Sequence, residues 1–242
     1  MTNPVFFFDY PYVSGESFRL DGDEGRHGAT VKRIRVGEAV DVINGRGLRA
    51  SCNVADVGRD WLDLEVTKVD QESQPQPRMI VVQALAKGDR ADLALEILTE
   101  VGVDVIVPWS ATHSIVKWDD PKKAHSKWHR TVVEATKQSR RAWIPELADL
   151  HTTHQVCELL LSVDVALVLH ESAADPLVAV DVTGAQTIAL VVGPEGGISA
   201  DELAQFVQAG AVIVRMGSSV MRTSTAGAIA AGALFSKTNR WS

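Results

Sequence analysis

The residues of this chain that could do chemistry concentrate in two short segments. The first is Val191-Val192-Gly193-Pro194-Glu195-Gly196-Gly197-Ile198-Ser199, which follows an apolar run. Ser199 and Glu202 have the spacing of a capping box, so a helix begins directly after it. Three glycines around Pro194-Glu195 are more than a strand–helix turn needs. Glycine lets a backbone approach a ligand closely or take a positive φ. The reading is a ligand-binding loop, set against a plain tight turn. The second segment is Met216-Gly217-Ser218-Ser219-Val220-Met221-Arg222-Thr223-Ser224-Thr225-Ala226. It also joins a strand to a helix, and Thr223, Ser224 and Thr225 offer capping hydroxyls and free amides. Arg222 is either a surface residue or a contact for an anion and a transition state. Glu195 is a carboxylate that either accepts a proton or braces its loop.

Other patterns do not hold up. Gly45-Arg46-Gly47-Leu48-Arg49-Ala50 satisfies a dinucleotide fingerprint as a string. That fingerprint must open a helix, and Ser51–Val57 alternates like a strand instead. His27, His113 and His170 have no metal-ligand spacing, and no metal is expected. Cys52 and Cys157 form neither a CxxC pair nor a disulfide framework, which suggests a reducing, cytoplasmic setting. Four tryptophans (Trp109, Trp118, Trp128, Trp143) read as core or interface unless one is exposed for base stacking.

The elements that must position the two segments follow from pattern. Gln71–Pro77 is polar with two prolines and reads as a linker. Before it, Glu38–Ile43, Ala50–Val57 and Trp61–Val69 alternate as strands, and Asn44-Gly45 is a hairpin signal. A small β-barrel over residues 1–74 is expected. After the linker, strands at Met79–Ala84, Val103–Pro108, Val163–His170, Thr187–Val192 and Ala211–Met216 alternate with helices. One helix starts at a cap by Asp89 and closes at Gly102; Pro121–Arg141 forms a long one; others fit 154–161, 200–209 and 223–236. The alternation predicts an α/β fold over residues 75–242, a mostly parallel sheet covered by helices on both faces. Ligands of such sheets bind at the carboxyl ends of the strands, where both segments fall.

Composition sets the bounds. The 242 residues are 45% hydrophobic and 23% charged, ordinary for a globular protein. No apolar run is long enough to span a bilayer, and no signal peptide is read. The formal net charge is −7, yet residues 26–49 and 117–141 are locally basic. Such stretches on an acidic protein suit phosphate contacts, or form a solvated face.

At this point the sequence resembles a known family: the RsmE family of small-subunit (16S) ribosomal RNA uridine-N3 methyltransferases, in the SPOUT superfamily. The resemblance is carried by five blocks in order: Arg26–Glu38, Leu85–Val103, Arg130–Arg141, Gly193–Gly197 and Met221–Ala226. It implies a trefoil knot in the C-terminal sheet, a PUA-like N-terminal domain, S-adenosyl-L-methionine (SAM) as methyl donor, and a homodimer acting on the small ribosomal subunit. The implied cofactor residues are Leu169, His170, Glu171, Val192, Gly193, Pro194, Glu195, Gly196, Gly197, Met216, Gly217, Ser218, Val220, Met221, Thr223, Thr225 and Ala226. Arg222 and Glu195 are the candidate catalytic pair. Arg26, Arg33, Arg35, Lys117, Gln138, Arg140 and Arg141 are the candidate RNA contacts. The chain departs from the family pattern in three places. Val5–Asp9 replaces an arginine-rich start, Ser224 stands where the pattern has glutamate, and Ser218-Ser219 replaces a stretch with a second basic residue. Two rivals stay open. One is a SPOUT enzyme for another base or a ribose 2′-hydroxyl; the other is a non-catalytic RNA-binding assembly factor.

Overall fold

The computed structural model describes residues 3–241, which divide into two compact units. The first holds the chain up to Gln74 together with Thr136–Ile144. The second holds Pro75–Ala135 and the chain from Pro145 onward.

In the first unit, β1 (Val5–Phe7), β2 (Ser17–Leu20), β3 (Ala39–Ile43), β4 (Leu48–Val57) and β5 (Leu62–Gln71) form one sheet in the order β1-β3-β4-β5-β2. All its pairings are antiparallel except β1 with β3. The period of two in β4 and β5 sends Ala50, Cys52, Val54, Leu62, Leu64 and Val66 into a core shared with Phe6, Phe18 and Leu20. The hairpin expected at Asn44-Gly45 forms. The Asn44 side-chain oxygen accepts from the amides of Arg46 and Leu48, and Gly45 and Gly47 take φ of 76° and 89°. A short helix α1 (Gly22–Arg26) runs into a π-helical turn at His27–Lys32, closed by Arg33 at φ 55°. Neither was legible, and nor was β1, whose unbroken apolar run shows no alternation.

The expected helix Pro121–Arg141 stops early. α3 is Pro121–Gln138, and Arg140 turns the chain with φ 57°. The residues beyond it complete the first unit rather than the second. Gly47 donates to the Ala142 carbonyl, Ile144 donates to that of Gly45, and Arg49 donates to that of Arg140. Ala142 packs with Val5 and Ile43, and the buried Lys137 ammonium pairs with Glu24. The interval 1–74 is thus one unit only with this later strap added.

The second unit is a seven-stranded parallel sheet. β6 (Arg78–Ala84), β7 (Val105–Trp109), β8 (Glu146–Leu147), β9 (Val165–Leu169), β10 (Asp175–Pro176), β11 (Thr187–Val192) and β12 (Val212–Arg215) lie in the order β10-β12-β9-β11-β6-β7-β8. β8 and β10 have two residues each, too short for any periodicity. Alternation divides the strands between two faces. Ile80, Val82, Val105, Val107, Ala166, Val168, Ala189 and Val191 pack with α4 (Thr153–Leu160) and α5 (Ala200–Gln208). The opposite face meets α2 (Asp89–Val101) and α6 (Thr223–Phe235). A Cβ added at Gly227 would lie 3.1 Å from Leu98, 3.2 Å from Val192 and 3.4 Å from Val81. Helices therefore cover both faces. α2 begins one residue from expectation: Gly88, at φ 57°, is the cap, and Asp89 is the first helical residue. Gly102 closes it at φ 109°.

One carboxylate knits this unit. Glu202 completes the capping box with Ser199 and, 2% exposed, also accepts from the Thr112 amide at 2.8 Å and the Thr153 hydroxyl at 3.1 Å. Burial pushes its pKa up, but the hydrogen bonds from Thr112 and Ser199 outweigh it and hold the group below the ordinary 4.5. The stability it adds is therefore present above that ordinary value and is lost as pH falls through the lowered one. Glu202→Ala should cost about 1–3 kcal/mol at pH 7, because it strands buried donors. Urea unfolding at pH 7 and pH 3.5 checks this, with a smaller difference from wild type expected at pH 3.5.

Candidate active site

Because the strands of the second unit are parallel, their carboxyl ends share one edge, and the loops leaving them are gathered there. A cavity of about 460 Å³ opens among three of these loops. Leu169, His170 and Glu171 come from the end of β9, Gly193–Ile198 from β11, and Met216, Gly217 and Ser219–Thr223 from β12. The two segments singled out in the sequence thus face one space, and Leu169–Glu171 join them. Ala226 lines it as well. Three expected residues do not: Val192 ends β11 buried, Thr225 lies in the first turn of the following helix, and Ser218 lines a second, apolar cavity beside Pro176, Val178 and Ile229.

The glycines of the first loop have distinct duties. Gly197 takes φ 76°, a conformation L side chains rarely adopt. A Cβ on Gly193 would fall 2.7 Å from the Ile198 side chain, and one on Gly196 would fall 3.0 Å from His113. The His113 ring sits on this loop, its Nδ1 donating to the Gly197 carbonyl at 3.2 Å. His170 is also engaged, its Nδ1 accepting from Ser172. Both histidines are hydrogen-bonded, and among the described residues no cluster of three or more metal-ligating side chains occurs.

Glu195 is tied across to another loop. Its Oε1 accepts from the Lys87 amide and from Arg90, each at 3.4 Å. That geometry is a brace between the β6–α2 connection and the glycine loop. Arg222 differs. It is exposed, lines the cavity, and its guanidinium meets no protein carboxylate among the described residues. It occupies the N-cap position of α6 without capping it, so its side chain is free of a helical role.

Ile198 and Ser219, inside the two segments, line the cavity as well, and so do Arg90, Val214 and Arg215, which were not anticipated. Arg90 lies within the Leu85–Val103 block, so its neighbourhood was legible though its role was not. The walls combine apolar side chains (Leu169, Ile198, Val214, Met216, Val220, Met221) with three arginines and two glutamates. Such a lining fits a ligand with an apolar body and polar ends of both signs.

The candidate RNA contacts fall on both units. Arg26, Arg33, Arg35, Gln138, Arg140 and Arg141 belong to the first, and Lys117 to the second, on the loop after β7. Arg33, Arg35, Arg140 and Lys117 are exposed, while exposed Arg26 pairs with Asp23. Of the four tryptophans, Trp109 is buried, Trp118 and Trp128 meet edge to face, and Trp143 donates to the Glu72 carbonyl.

Comparison with known proteins agrees with this geometry. Residues 72–235 match an RNA methyltransferase domain, and residues 20–67 match the PUA domain of RNA methyltransferases. Over 247 aligned residues the chain is 41% identical to the ribosomal RNA small subunit methyltransferase E of Mycobacterium bovis, covering 100% of this chain and 94% of that protein. A solved Legionella pneumophila methyltransferase with bound SAM superposes with TM-score 0.90 at 24% identity, covering 98% of both chains. The SAM-bound ribosomal RNA small subunit methyltransferase E of Neisseria gonorrhoeae gives 0.88 at 24% identity, again over 98% of both. At that identity these structures speak for the fold, whereas the domain match and the mycobacterial relative speak for descent. The chain belongs to the RNA methyltransferase family of the ribosomal RNA small subunit methyltransferase E proteins.

Proposed function

We propose that this chain transfers a methyl group from SAM to N3 of one uridine in 16S ribosomal RNA, within the assembled small subunit. The observation that carries the reading is the cavity itself. Two glycine-bearing loops and an unpaired arginine converge at the carboxyl edge of a parallel sheet. The relatives named for ribosomal RNA methylation support the substrate class, and the SAM-bound structures of the same fold support the cofactor. The wall chemistry fits SAM, whose apolar and ionic parts need the mixed lining described above.

When bound, SAM supplies an electrophilic methyl group on a sulfonium sulfur. The protein's part is to align acceptor and donor and to exclude water. Met216, Val220, Met221, Leu169 and Ile198 supply the apolar wall, and the Gly193–Gly197 backbone permits close approach. N3 of uracil carries a proton that must leave as the new bond to carbon forms. Arg222 offsets the negative charge that develops on the uracil carbonyl oxygens, which eases loss of that proton to water. Glu195 is assigned to the brace and not to the proton. Because N3 lies on the pairing edge, the target base must be unstacked, and its proton passes to bulk solvent as the base enters, before water is excluded from the methyl group. Arg26, Arg33, Arg35, Arg140 and Arg141 on the first unit, with Gln138, and Lys117 on the second, grip RNA. A net charge of −7 favours a particle with protein contacts over naked RNA. The same reading carries a trefoil knot around the two loops, a cytoplasmic setting and a homodimer. The exposed Val178 and Ile229 beside the second cavity favour the homodimer.

The test uses small subunits from cells lacking this protein, incubated with the purified protein and labelled SAM, with the modified nucleoside identified by mass spectrometry. N3-methyluridine at one site is the expected product. A different methylated nucleoside moves the target, and no label without SAM binding makes the protein an RNA-binding assembly factor.

A further inference from the structure

Strand β6 is apolar from Met79 to Val82 and then carries Gln83, a buried amide 1% exposed. It lies on the face shared with α6, directly across from Val192 in the pairing of β6 with β11. Its Nε2 donates to the Ala84 carbonyl at 3.2 Å and to the Thr223 hydroxyl at 3.0 Å. Thr223 in turn donates to the Gly193 carbonyl at 2.7 Å. The direction of this relay is fixed by its ends. Both carbonyls can only accept, so the amide nitrogen must face Ala84 and the hydroxyl proton must face Gly193. Gln83 Oε1 is buried with no hydrogen-bond partner among the described residues. A buried acceptor left empty is costly, and a leucine there would fill similar space without that cost. The amide must therefore contribute something that packing does not.

The relay joins three loops that chain order keeps apart. Gly193 opens the glycine loop, Thr223 directly follows Arg222, and Gln83 is the second-to-last residue of the strand that leads to Lys87 and Arg90. We propose that Gln83, Thr223 and the Gly193 carbonyl form a latch that sets the spacing of the two cofactor loops and thereby aims Arg222. This inference rests on the methyltransferase reading above. Gln83 and Thr223 act in it as positioning residues, with no bond made or broken on either. The Arg222 backbone is held on its other side by the Thr225 and Ala226 amides, which donate to its carbonyl at 3.0 and 2.9 Å. From this segment, the Thr223 hydroxyl reaches across to the glycine loop.

The experiment compares Gln83→Leu, Thr223→Val, Thr223→Ser and the Gln83→Leu/Thr223→Val pair in the full-length protein. Hydrogen exchange of the free protein reads the loops, and SAM titration and methyl transfer to small subunits read the site. Loss of the latch should raise exchange about tenfold or more, concentrated in residues 193–197 and 217–222, with a fall of only a few degrees in melting temperature. The turnover rate should fall about tenfold, further than SAM affinity falls. Thr223→Ser should restore wild-type behaviour, and the paired variant should be no worse than either single one. Unchanged exchange, additive losses, or a rise spread through the sheet would overturn the latch. If the wild-type protein itself labels no RNA, the methyltransferase reading fails, and the exchange pattern alone decides for or against the latch.

Discussion

Arg222→Ala is expected to slow methyl transfer by about 10²–10³-fold, the usual effect of removing one preorganised donor from a developing anion. SAM affinity should stay within about threefold, since an interaction made only in the transition state lowers turnover without weakening ground-state binding. The structure makes this a clean substitution. Arg222 sits at the N-cap of α6 but its side chain caps nothing, and it forms no ion pair among the described residues. The melting temperature should therefore hold. Arg222→Lys keeps the charge and loses the planar fork, so it should fall between wild type and alanine. Single-turnover transfer to SAM-saturated protein, beside calorimetric titration of SAM, separates the two terms. Equal losses in both would place Arg222 in cofactor binding and remove it from charge stabilisation.

The second large effect concerns stability. Arg240, near the C-terminus, is almost fully buried against Asp104, with side-chain exposures of 4% and 3%. Its guanidinium also donates to the carbonyls of Pro77 and Gly102 and lies 4.4 Å over the Phe235 ring. Asp104 in turn accepts from the Met79 amide at 2.8 Å. One side chain thus ties the end of the chain to the start of β6 and to the α2–β7 turn. Arg240→Met strands a buried carboxylate and two carbonyls, and should cost about 3–5 kcal/mol. For a chain of this size that is a fall of about ten degrees or more in melting temperature. Pairing it with Asp104→Leu should recover only part of the loss. The charge is then balanced, but the Met79 amide and the two carbonyls remain unserved. Full recovery would mean that the charge lost with Arg240 alone carries the penalty.

The sequence and the structure agree most closely where a local rule has a local cause. The capping box at Ser199–Glu202, the hairpin at Asn44-Gly45 and the glycine closing α2 each involve neighbours in the chain. The glycine loop and the Met216–Ala226 segment were legible as separate features, and the parallel sheet brings them to one cavity. What stayed hidden depends on distant partners. Gln83 was visible as one polar residue in an apolar strand, but its meaning required Thr223, 140 residues away. Glu195 reads as a base or a brace in the sequence, and its contacts with the Lys87 amide and Arg90 lie more than 100 positions away in the chain. The early end of α3 had no proline or glycine to announce it. Arg140 turns the chain there, with its carbonyl held by Arg49 from a hairpin far back in sequence.

That strap after α3 orders events during synthesis. The first unit is read out by the ribosome as far as Gln74, but Thr136–Ile144 belongs to it too. At about 5–20 residues per second, the intervening stretch takes several seconds to emerge. Through that interval Val5 and Ile43 lack the Ala142 side chain that packs on them, and Gly47 lacks the carbonyl its amide donates to. The portion made first is therefore not the portion finished first, and the second unit's leading strands leave the ribosome while the first still waits. A fragment ending at Gln74 should for the same reason behave as an incomplete fold, and grafting the first unit onto another enzyme would require carrying both pieces.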